Sequence, residues 1–140
     1  NHLGVITAAP VSVLTSSITQ VDFTTSAMAV SGTDARILSA GKALLWAGDT
    51  SANDQVIANG PDNDTNAILG TVLLSPANTS LGANHIKSGY ELADLNMDGD
   101  TIFAGPENDV NLLIGNVLLH PGNSTFSANY VIKGTIPKAQ

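Results

Sequence analysis

Two stretches of the chain are rich in apolar residues, and residues that start and stop helices bound each of them. Residues 64–74 and 109–119 each begin at an Asp preceded by Asn, residue types that cap helices, and Pro76 and Pro121 stand where a helix has to stop. We therefore predict helices over roughly Asp64–Leu74 and Asp109–Leu119. Because apolar residues occur on nearly all sides of these helices, we expect both to be buried.

The two predicted helices belong to a repeat of 45 residues. A shift of 45 positions aligns residues 49–89 with 94–134 without a gap, and 16 of the 41 pairs are identical. Each unit consists of an acidic loop, a helix, a loop rich in Ser, Thr and Asn, and a strand-like run at 84–92 or 129–137. The repeat predicts two copies of one supersecondary structure.

Each helix carries a glycine at its centre, Gly70 in the first unit and Gly115 in the second. Glycine inside a helix costs about 1 kcal/mol relative to alanine. We interpret the pair as a sign that another backbone, such as that of the twin helix, comes close; a copied accident is the alternative.

The first 44 residues do not repeat and are rich in β-branched and small apolar residues. Between Val21 and Ala27, apolar and polar residues alternate with the period of a half-buried strand. We predict an α+β fold with a β-rich N-terminal lobe over residues 1–44 and two tandem loop–helix–strand units over 45–90 and 91–140.

Composition and charge exclude several classes of partner. The formal net charge is −7 with only five Lys and Arg, whereas nucleic acid and anionic lipid require clustered basic residues. No apolar run approaches the roughly 18 residues of a membrane span, and no cysteine is present to form a disulfide or a thiolate metal site. The polar residues are mainly Ser, Thr and Asn, which is typical of exported proteins, so we expect an extracellular or cell-surface location.

The second acidic loop has the spacing of a calcium loop. Asp94, Asn96 and Asp98 occupy alternate positions and Gly99 follows, which is the beginning of the pattern D-x-[DN]-x-[DN]-G. In such a loop a tight turn points successive side-chain oxygens at one centre, and Asp100 would add its main-chain carbonyl.

The closing ligand of this loop departs from the EF-hand pattern. Position 105, where an EF-hand has its bidentate Glu, is Gly. We expect Asp109, at the start of the second helix, to return to the loop and close the site, with Asn108 and Glu107 as alternatives.

The first acidic loop is a weaker version of the second. Its equivalent ligands are Asp49, Ser51, Asn53, the carbonyl of Gln55, and Asp64, and Asp54 stands where the glycine is expected. Because all candidate ligands are oxygen atoms and none is a sulfur or nitrogen atom, Ca²⁺ is favoured over a transition metal. The alternative interpretation is that both loops are solvated acidic turns that bind no metal. We expect one Ca²⁺ in the second loop and leave the occupancy of the first loop open.

These residues resemble a known family. "LWAGD" (45–49), "GPDND" (60–64) and "YELADLNMDGDTIFAGPEND" (90–109) are similar to the paired dockerin-like calcium repeats of large secreted Bacteroidota surface and adhesin proteins. The likeness covers residues 45–137. It implies a cell-surface setting without catalysis and calcium at Asp94, Asn96, Asp98 and Asp109, with Asp49 and Asp64 as the counterparts in the first unit. Dockerins have shorter loops and longer helices, and Asn53 and Asp54 depart from their pattern.

The functional hypotheses follow from these features. His2, His85 and His120 fall in no catalytic pattern, so we predict that the protein is not an enzyme. The leading hypothesis is a calcium-stabilised structural protein, either a filament subunit that associates with its own copies or a module joined to neighbouring modules of an adhesin. Residues 3–30 support it, because a β-prone segment with a single charge at Asp22 either joins its own sheet or completes a neighbour's. The alternative is a calcium-dependent binding module, for dockerin-like protein docking or for glycans.

Overall fold

Two helices and three two-stranded antiparallel sheets form the regular structure of residues 1–136, the part of the chain that the computed structural model describes. In chain order the elements are β1 (Arg36–Ser39), β2 (Lys42–Leu45), β3 (Gln55–Ile57), α1 (Asp64–Leu73), β4 (Ile86–Ser88), β5 (Asp100–Ile102), α2 (Asp109–Leu119) and β6 (Val131–Lys133). The predicted mixed α+β class is confirmed.

The strands of the two repeat units pair with each other rather than within one unit. Strand β3, before the first helix, pairs with β6, after the second helix, in the register Val56↔Ile132. Strand β4 pairs with β5 in the register Lys87↔Thr101. The arrangement is approximately twofold, and each unit supplies the strand partners of the other. The two units therefore share one folded body.

The core lies between the helices and the β3–β6 pair. Both units and the N-terminal segment contribute buried apolar side chains to it, among them Leu3, Trp46, Val56, Ile68, Leu95, Leu113, Val117 and Ile132. Leu3 reaches this core because its N–H donates to the carbonyl of Trp46 at 2.8 Å. Residues 1–4 are thus part of the fold of their own chain.

The predicted helices exist with nearly the predicted ends, but the prediction that they are buried holds for one face only. Ile68 and Val72 of α1 are fully buried, whereas Leu74, just past the end of this helix, is 83% exposed. Helix α2 follows the same pattern, with Leu113 and Val117 buried and Leu119 exposed. Each helix packs one face on the twin unit and presents the other to solvent.

The interpretation of the mid-helix glycines is wrong. Among residues 1–136, a Cβ built on Gly70 or on Gly115 would meet no atom within 4 Å outside its own helix. No other backbone in this part of the chain lies against either glycine, so packing there does not require them.

The N-terminal lobe contains less strand than predicted. Residues 21–27 form consecutive turns, because the Asp22 carboxylate accepts the N–H of Thr24 at 2.8 Å and its hydroxyl at 2.7 Å. This local bonding offers the backbone an alternative to a strand ladder. The Arg36 guanidinium fixes the same turns by donating to three carbonyl oxygens, those of Phe23, Thr25 and Met28. The strand predicted over 21–27 is therefore wrong.

Regular pairing in this lobe is confined to the β1–β2 hairpin and two isolated bridges. The bridges join His2 to Ala47 and Thr7 to Val30. Further along the chain, the strand-like runs predicted over 84–92 and 129–137 contain β4 and β6, which are three residues each. Residue 137 lies outside the described part.

Candidate metal sites

The second acidic loop is organised around the buried carboxylate of Asp94. One carboxylate oxygen accepts the N–H of Asp98 at 3.2 Å and the other accepts the N–H of Gly99 at 3.0 Å. These bonds draw the loop around Asp94, which is almost fully buried. Gly99 has φ 92°, the left-handed backbone that glycine adopts without steric cost. The glycine of the sequence pattern is thus used for the turn that the pattern predicts.

The alternate oxygens of this loop form successive turns. The Asn96 Oδ1 accepts the N–H of Asp98 at 3.0 Å, and the Asp98 Oδ1 accepts the N–H of Asp100 at 2.9 Å. The Asn96 amide also donates to the second carboxylate oxygen of Asp98 at 2.8 Å. The structure therefore brings Asp94, Asn96 and Asp98 together on one stretch of tightly turned backbone.

Asp109 returns to the loop, as the closing ligand was expected to do. It is the first residue of α2, and its carboxylate accepts the N–H of Leu95 at 2.7 Å and that of Ile102 at 2.8 Å. Asn108 instead caps the helix by accepting the N–H of Asn111, and Glu107 is exposed. Of the three candidates, Asp109 is the one bonded to both ends of the loop.

Burial makes the charge on Asp109 costly. Loss of hydration raises the pKa of Asp109 above its usual value, and the nearby Asp94 carboxylate raises it further. The N–H groups of Ile102, Leu95 and Asn96 favour the charged form and oppose this rise. The loop and the helix end thus hold two like-charged carboxylates close together.

The first acidic loop repeats these hydrogen bonds at the equivalent positions. The Asp49 carboxylate accepts the N–H groups of Asn53 and Asp54 at 2.9 and 3.0 Å, and Asn53 accepts the N–H of Gln55 at 2.9 Å. The buried Asp64 carboxylate accepts the N–H of Thr50 at 2.9 Å, together with those of Ser51 at 3.0 Å and Ile57 at 2.8 Å. The two loops therefore have the same backbone arrangement.

Three features set the first loop apart. The Thr50 hydroxyl donates to Asp64 Oδ1 at 3.1 Å, whereas the equivalent Leu95 has no polar side chain. Asp54 has φ 65°, so a non-glycine residue occupies the left-handed position of Gly99. In addition, the Ser51 side chain is exposed and makes no hydrogen bond among the described residues. At the expected side-chain ligand positions the first loop has two carboxylates, whereas the second has three.

The donor chemistry fits Ca²⁺, although the carboxylates by themselves are not grouped around one centre. Carboxylate, amide and main-chain carbonyl oxygens are the ligands that Ca²⁺ uses. Within residues 1–136, however, no group of three or more Asp, Glu, His or Cys side chains is arranged to hold a metal ion. The carboxylates are bonded to N–H groups, and each carboxylate has about four lone-pair sites in total, so they retain acceptor capacity.

Sequence reasoning missed two buried asparagines that follow the helices. Asn78 donates to the carbonyls of Val72 at 3.0 Å and Gly82 at 2.9 Å, and accepts the N–H of Gly82 at 2.9 Å. Asn123 makes the same three bonds in the second unit, with Val117 and Ser127. Asn78 and Asn123 are aligned with each other in the 45-residue repeat. This identity is the feature of the sequence that could have indicated a shared structural role. The two asparagines fasten each helix end to the loop that follows.

Asn1 joins the N-terminus to both acidic loops. Its carbonyl accepts the N–H groups of Gly48 at 2.7 Å and Asp49 at 3.2 Å, and its side-chain amide donates to the carbonyl of Asp94 at 2.6 Å. No pattern in the sequence indicated this contact, because it spans almost a hundred residues.

His120 lies in an aromatic group formed by residues of both repeat units. Its ring centroid is 4.8 Å from that of Trp46 and 5.4 Å from that of Tyr130, and its Nδ1 accepts the N–H of Gly122 at 3.1 Å. Burial lowers the pKa of His120, and the charge and backbone of Asp34 oppose this change. Burial therefore favours the neutral form of the ring, which packs between two aromatic side chains.

Comparison with protein-family models, curated proteins and solved structures finds no match in any of the three. In the described part of the chain, neither helix has the length and apolar character needed to cross a membrane.

Proposed function

We propose that the protein is a non-enzymatic, extracellular structural module whose acidic loops bind calcium and which associates with its own copies or with neighbouring modules. One observation carries the calcium part. Asp49, Asp64, Asp94 and Asp109 are all buried, and none of them has a Lys, Arg or His within ion-pair distance in residues 1–136. Buried charges are costly unless they are paired or coordinate a metal. A divalent cation supplies the missing charge.

The proposed ligands are the oxygens at the positions of the calcium-loop pattern in the two loops. In the second unit they are the side chains of Asp94, Asn96, Asp98 and Asp109 and the carbonyl of Asp100. In the first unit they are the side chains of Asp49, Ser51, Asn53 and Asp64 and the carbonyl of Gln55. Two bound ions would change the formal net charge from −7 to −3, since each adds two positive charges. This change relieves the self-repulsion that opposes a compact state.

The second loop is the tighter of the two proposed sites. Asp98 and Asp100 stand where the first loop has Asn53 and Gln55, so the second loop attracts a cation more strongly. The Thr50 hydroxyl also uses one acceptor position of Asp64. We expect binding to the second loop first, and to the first loop only at higher calcium concentration.

A structural role for calcium follows from where the ligands lie. Each loop is joined to the following helix through Asp64 or Asp109 and to the paired strands through Ile57 or Ile102. An ion between these groups holds loop, helix and strand together. In a chain without cysteine, it takes the place that a disulfide has in other exported proteins.

Calcium-dependent glycan binding is the second candidate function, and Tyr90 favours it. This side chain is 78% exposed. Its Cζ atom lies 3.8 Å from the point that a Cβ would occupy at Gly99 in the second loop. An exposed aromatic ring beside a calcium loop is a platform on which a sugar can stack. A glycan array probed with calcium and with chelator separates the two candidates, since a structural module gives no calcium-dependent signal.

Calorimetric titration of two loop variants tests the proposed sites. We expect Asp94→Asn to abolish the tighter calcium-binding event, and Asp49→Asn to abolish only the weaker one. Asp62→Asn removes one charge at an exposed position and serves as the control. Equal binding by all three variants would contradict the assignment.

A further inference from the structure

The feature that the proposed calcium sites leave unexplained is an apolar loop on the N-terminal lobe. Every residue from Ala8 to Val21 is exposed, and Val13 and Ile18 are exposed to 82% and 98%. Residues 9–21, which we call the N-terminal loop, contain no charged residue. Ser, Thr and Gln residues separate the apolar ones, and the loop exposes five large apolar side chains: Val11, Val13, Leu14, Ile18 and Val21. Isolated apolar residues on a surface are ordinary, but several grouped in one exposed loop mark an interaction site.

The N-terminal loop is held at its base and does not trail from the fold. Ala8 donates its N–H to the carbonyl of Ala29 at 3.0 Å, and Ser31 donates to that of Ile6 at 3.0 Å. Within the loop, the Thr19 hydroxyl donates to the carbonyl of Ser12 at 3.0 Å. The apolar side chains are therefore presented on a closed loop, with part of the ordering cost of binding already met.

The same lobe carries an open apolar groove. A cavity of about 430 Å³ lies beside β2 and is lined by His2, Thr24, Ala43, Leu44 and Leu45. Leu44 and Leu45 are both exposed. Burial lowers the pKa of His2 and so favours its neutral form. In a single chain, the N-terminal loop leaves this groove uncovered.

We infer that the N-terminal loop of one copy docks into the groove beside β2 of a second copy of this chain. The inference deepens the proposed function and rests on its self-association. The distribution of charge favours a second copy as the occupant, because ten of the twelve acidic residues lie in 49–64 or 91–109, whereas the loop and the groove lining contain no Asp, Glu, Lys or Arg. Two copies with a net charge of −7 repel each other least when they meet through these surfaces.

The proposed contact is heterologous, because a loop meets a groove rather than its own equivalent. A contact of this kind continues into an open chain of subunits unless the rotation between copies closes it. It therefore accounts for a filament or a linear array without a further interface.

The test compares three single substitutions in the full chain, loaded with calcium. Ile18→Lys alters the loop, Leu44→Lys alters the groove, and Leu74→Lys is the control at an exposed apolar position outside the lobe. All three change the net charge by the same amount. Sedimentation velocity over a concentration series measures self-association, and thermal unfolding of each variant checks that the fold is retained.

We expect the loop and groove variants each to weaken self-association by at least about tenfold, because a lysine in an apolar contact is left without a partner. The control should associate like the unchanged chain. A mixture of Ile18→Lys and Leu44→Lys copies should form a one-to-one complex and nothing larger, since it contains one intact loop–groove pair.

Three results would overturn the inference, and they differ in whether the proposed self-association is also contradicted. If the chain assembles and both variants assemble equally well, the contact is elsewhere and the proposed function survives. If the calcium-loaded chain stays monomeric, self-association fails as well. If the chain stays monomeric but binds vesicles of neutral phosphatidylcholine, and Ile18→Lys does not, the loop contacts lipid instead.

Discussion

Asp64 and Asp109 are the residues on which each acidic loop depends most directly. Each is the first residue of a helix, where a negative charge is favourable, and each accepts N–H groups from both ends of the preceding loop. A single carboxylate thus satisfies backbone groups that the loop buries.

Replacing either carboxylate with an amide should destabilise the protein even without calcium. Asp109→Asn and Asp64→Asn each place an NH₂ group against a backbone N–H, and we expect a loss of about 2–3 kcal/mol in the free energy of unfolding. Urea denaturation in the presence of chelator measures this loss. The exposed Asp62→Asn should change stability by less than about 0.5 kcal/mol, and equal losses in all three variants would contradict the assignment.

The open surroundings of Gly115 predict that a substitution there stabilises the chain. Because a Cβ meets no atom within 4 Å, Gly115→Ala should raise the free energy of unfolding by up to about 1 kcal/mol. Gly48→Ala is the matched contrast, since Gly48 has φ 138° and its Cβ would lie 2.5 Å from Val56 Cγ1. Thermal unfolding of the two variants should give opposite shifts, and a destabilised Gly115→Ala would show that the glycine has a role the structure does not reveal.

His120 predicts a loss of stability on mild acidification. Its folded-state pKa is below the ordinary value of 6.5, so the unfolded chain binds the proton more tightly. The stabilisation is fully present above about pH 6.5 and decreases as the pH falls from there through the folded-state pKa. Protonation also removes the acceptor of the Gly122 N–H.

Unfolding measured between pH 7.5 and 5.5 checks this expectation. His120→Phe keeps a ring between Trp46 and Tyr130 and should have a smaller dependence on pH over this range. A residual slope is expected from His2, whose pKa is also lowered by burial. An unchanged slope in His120→Phe would rule out His120 as a source.

At the scale of elements, the ends of the helices depend on asparagines. Asn63 and Asn108 cap the N-termini, and Asn78 and Asn123 bind the last carbonyls and the following loop. We expect Asn78→Ala and Asn123→Ala to cost about 2–3 kcal/mol each, because buried backbone groups lose their partners. The exposed Thr79→Ala is the control, and chemical denaturation that does not distinguish it from Asn78→Ala would contradict this role.

The elements that the sequence predicts well are those specified by local signals repeated in both units. Periodicity, caps and prolines predict the two helices almost to the residue, and the spacing of Asp94, Asn96 and Asp98 predicts their shared turn. The return of Asp109 to the loop agrees with the prediction, and its role as a metal ligand stays a prediction. Local sequence patterns predict the helices and the shared turn because the hydrogen bonds that form them join residues only a few positions apart.

The features that the sequence does not predict have two causes. Side chains compete for backbone hydrogen bonds, or the contacts join residues far apart in the chain. The alternation over 21–27 has the period of a strand, but the Asp22 side chain and the Arg36 guanidinium capture the backbone instead. The exchange of strands between the units and the contact of Asn1 with Asp94 join residues far apart in the chain. Neither leaves a local pattern.

At the scale of the whole molecule, charge is distributed unequally. The acidic loops carry most of the negative charge, and the N-terminal lobe carries the exposed apolar loop and groove. The proposed calcium sites lie in the first region and the proposed assembly surfaces in the second, so the two parts of the proposed function can be measured separately. Chelator should weaken assembly mainly by destabilising the fold.

The most direct test of the account is a calcium titration of the unchanged, chelator-treated chain, with its melting temperature followed in parallel. Binding to the folded state alone stabilises by about 2.7 kcal/mol when the free calcium is a hundred times the dissociation constant. For a domain of this size that corresponds to a rise of several degrees. We predict one or two bound ions and a melting temperature that rises with calcium, but less with equal magnesium. No binding and an unchanged melting temperature would show that the buried carboxylates are held by backbone N–H groups alone, and would contradict the proposed calcium-stabilised module.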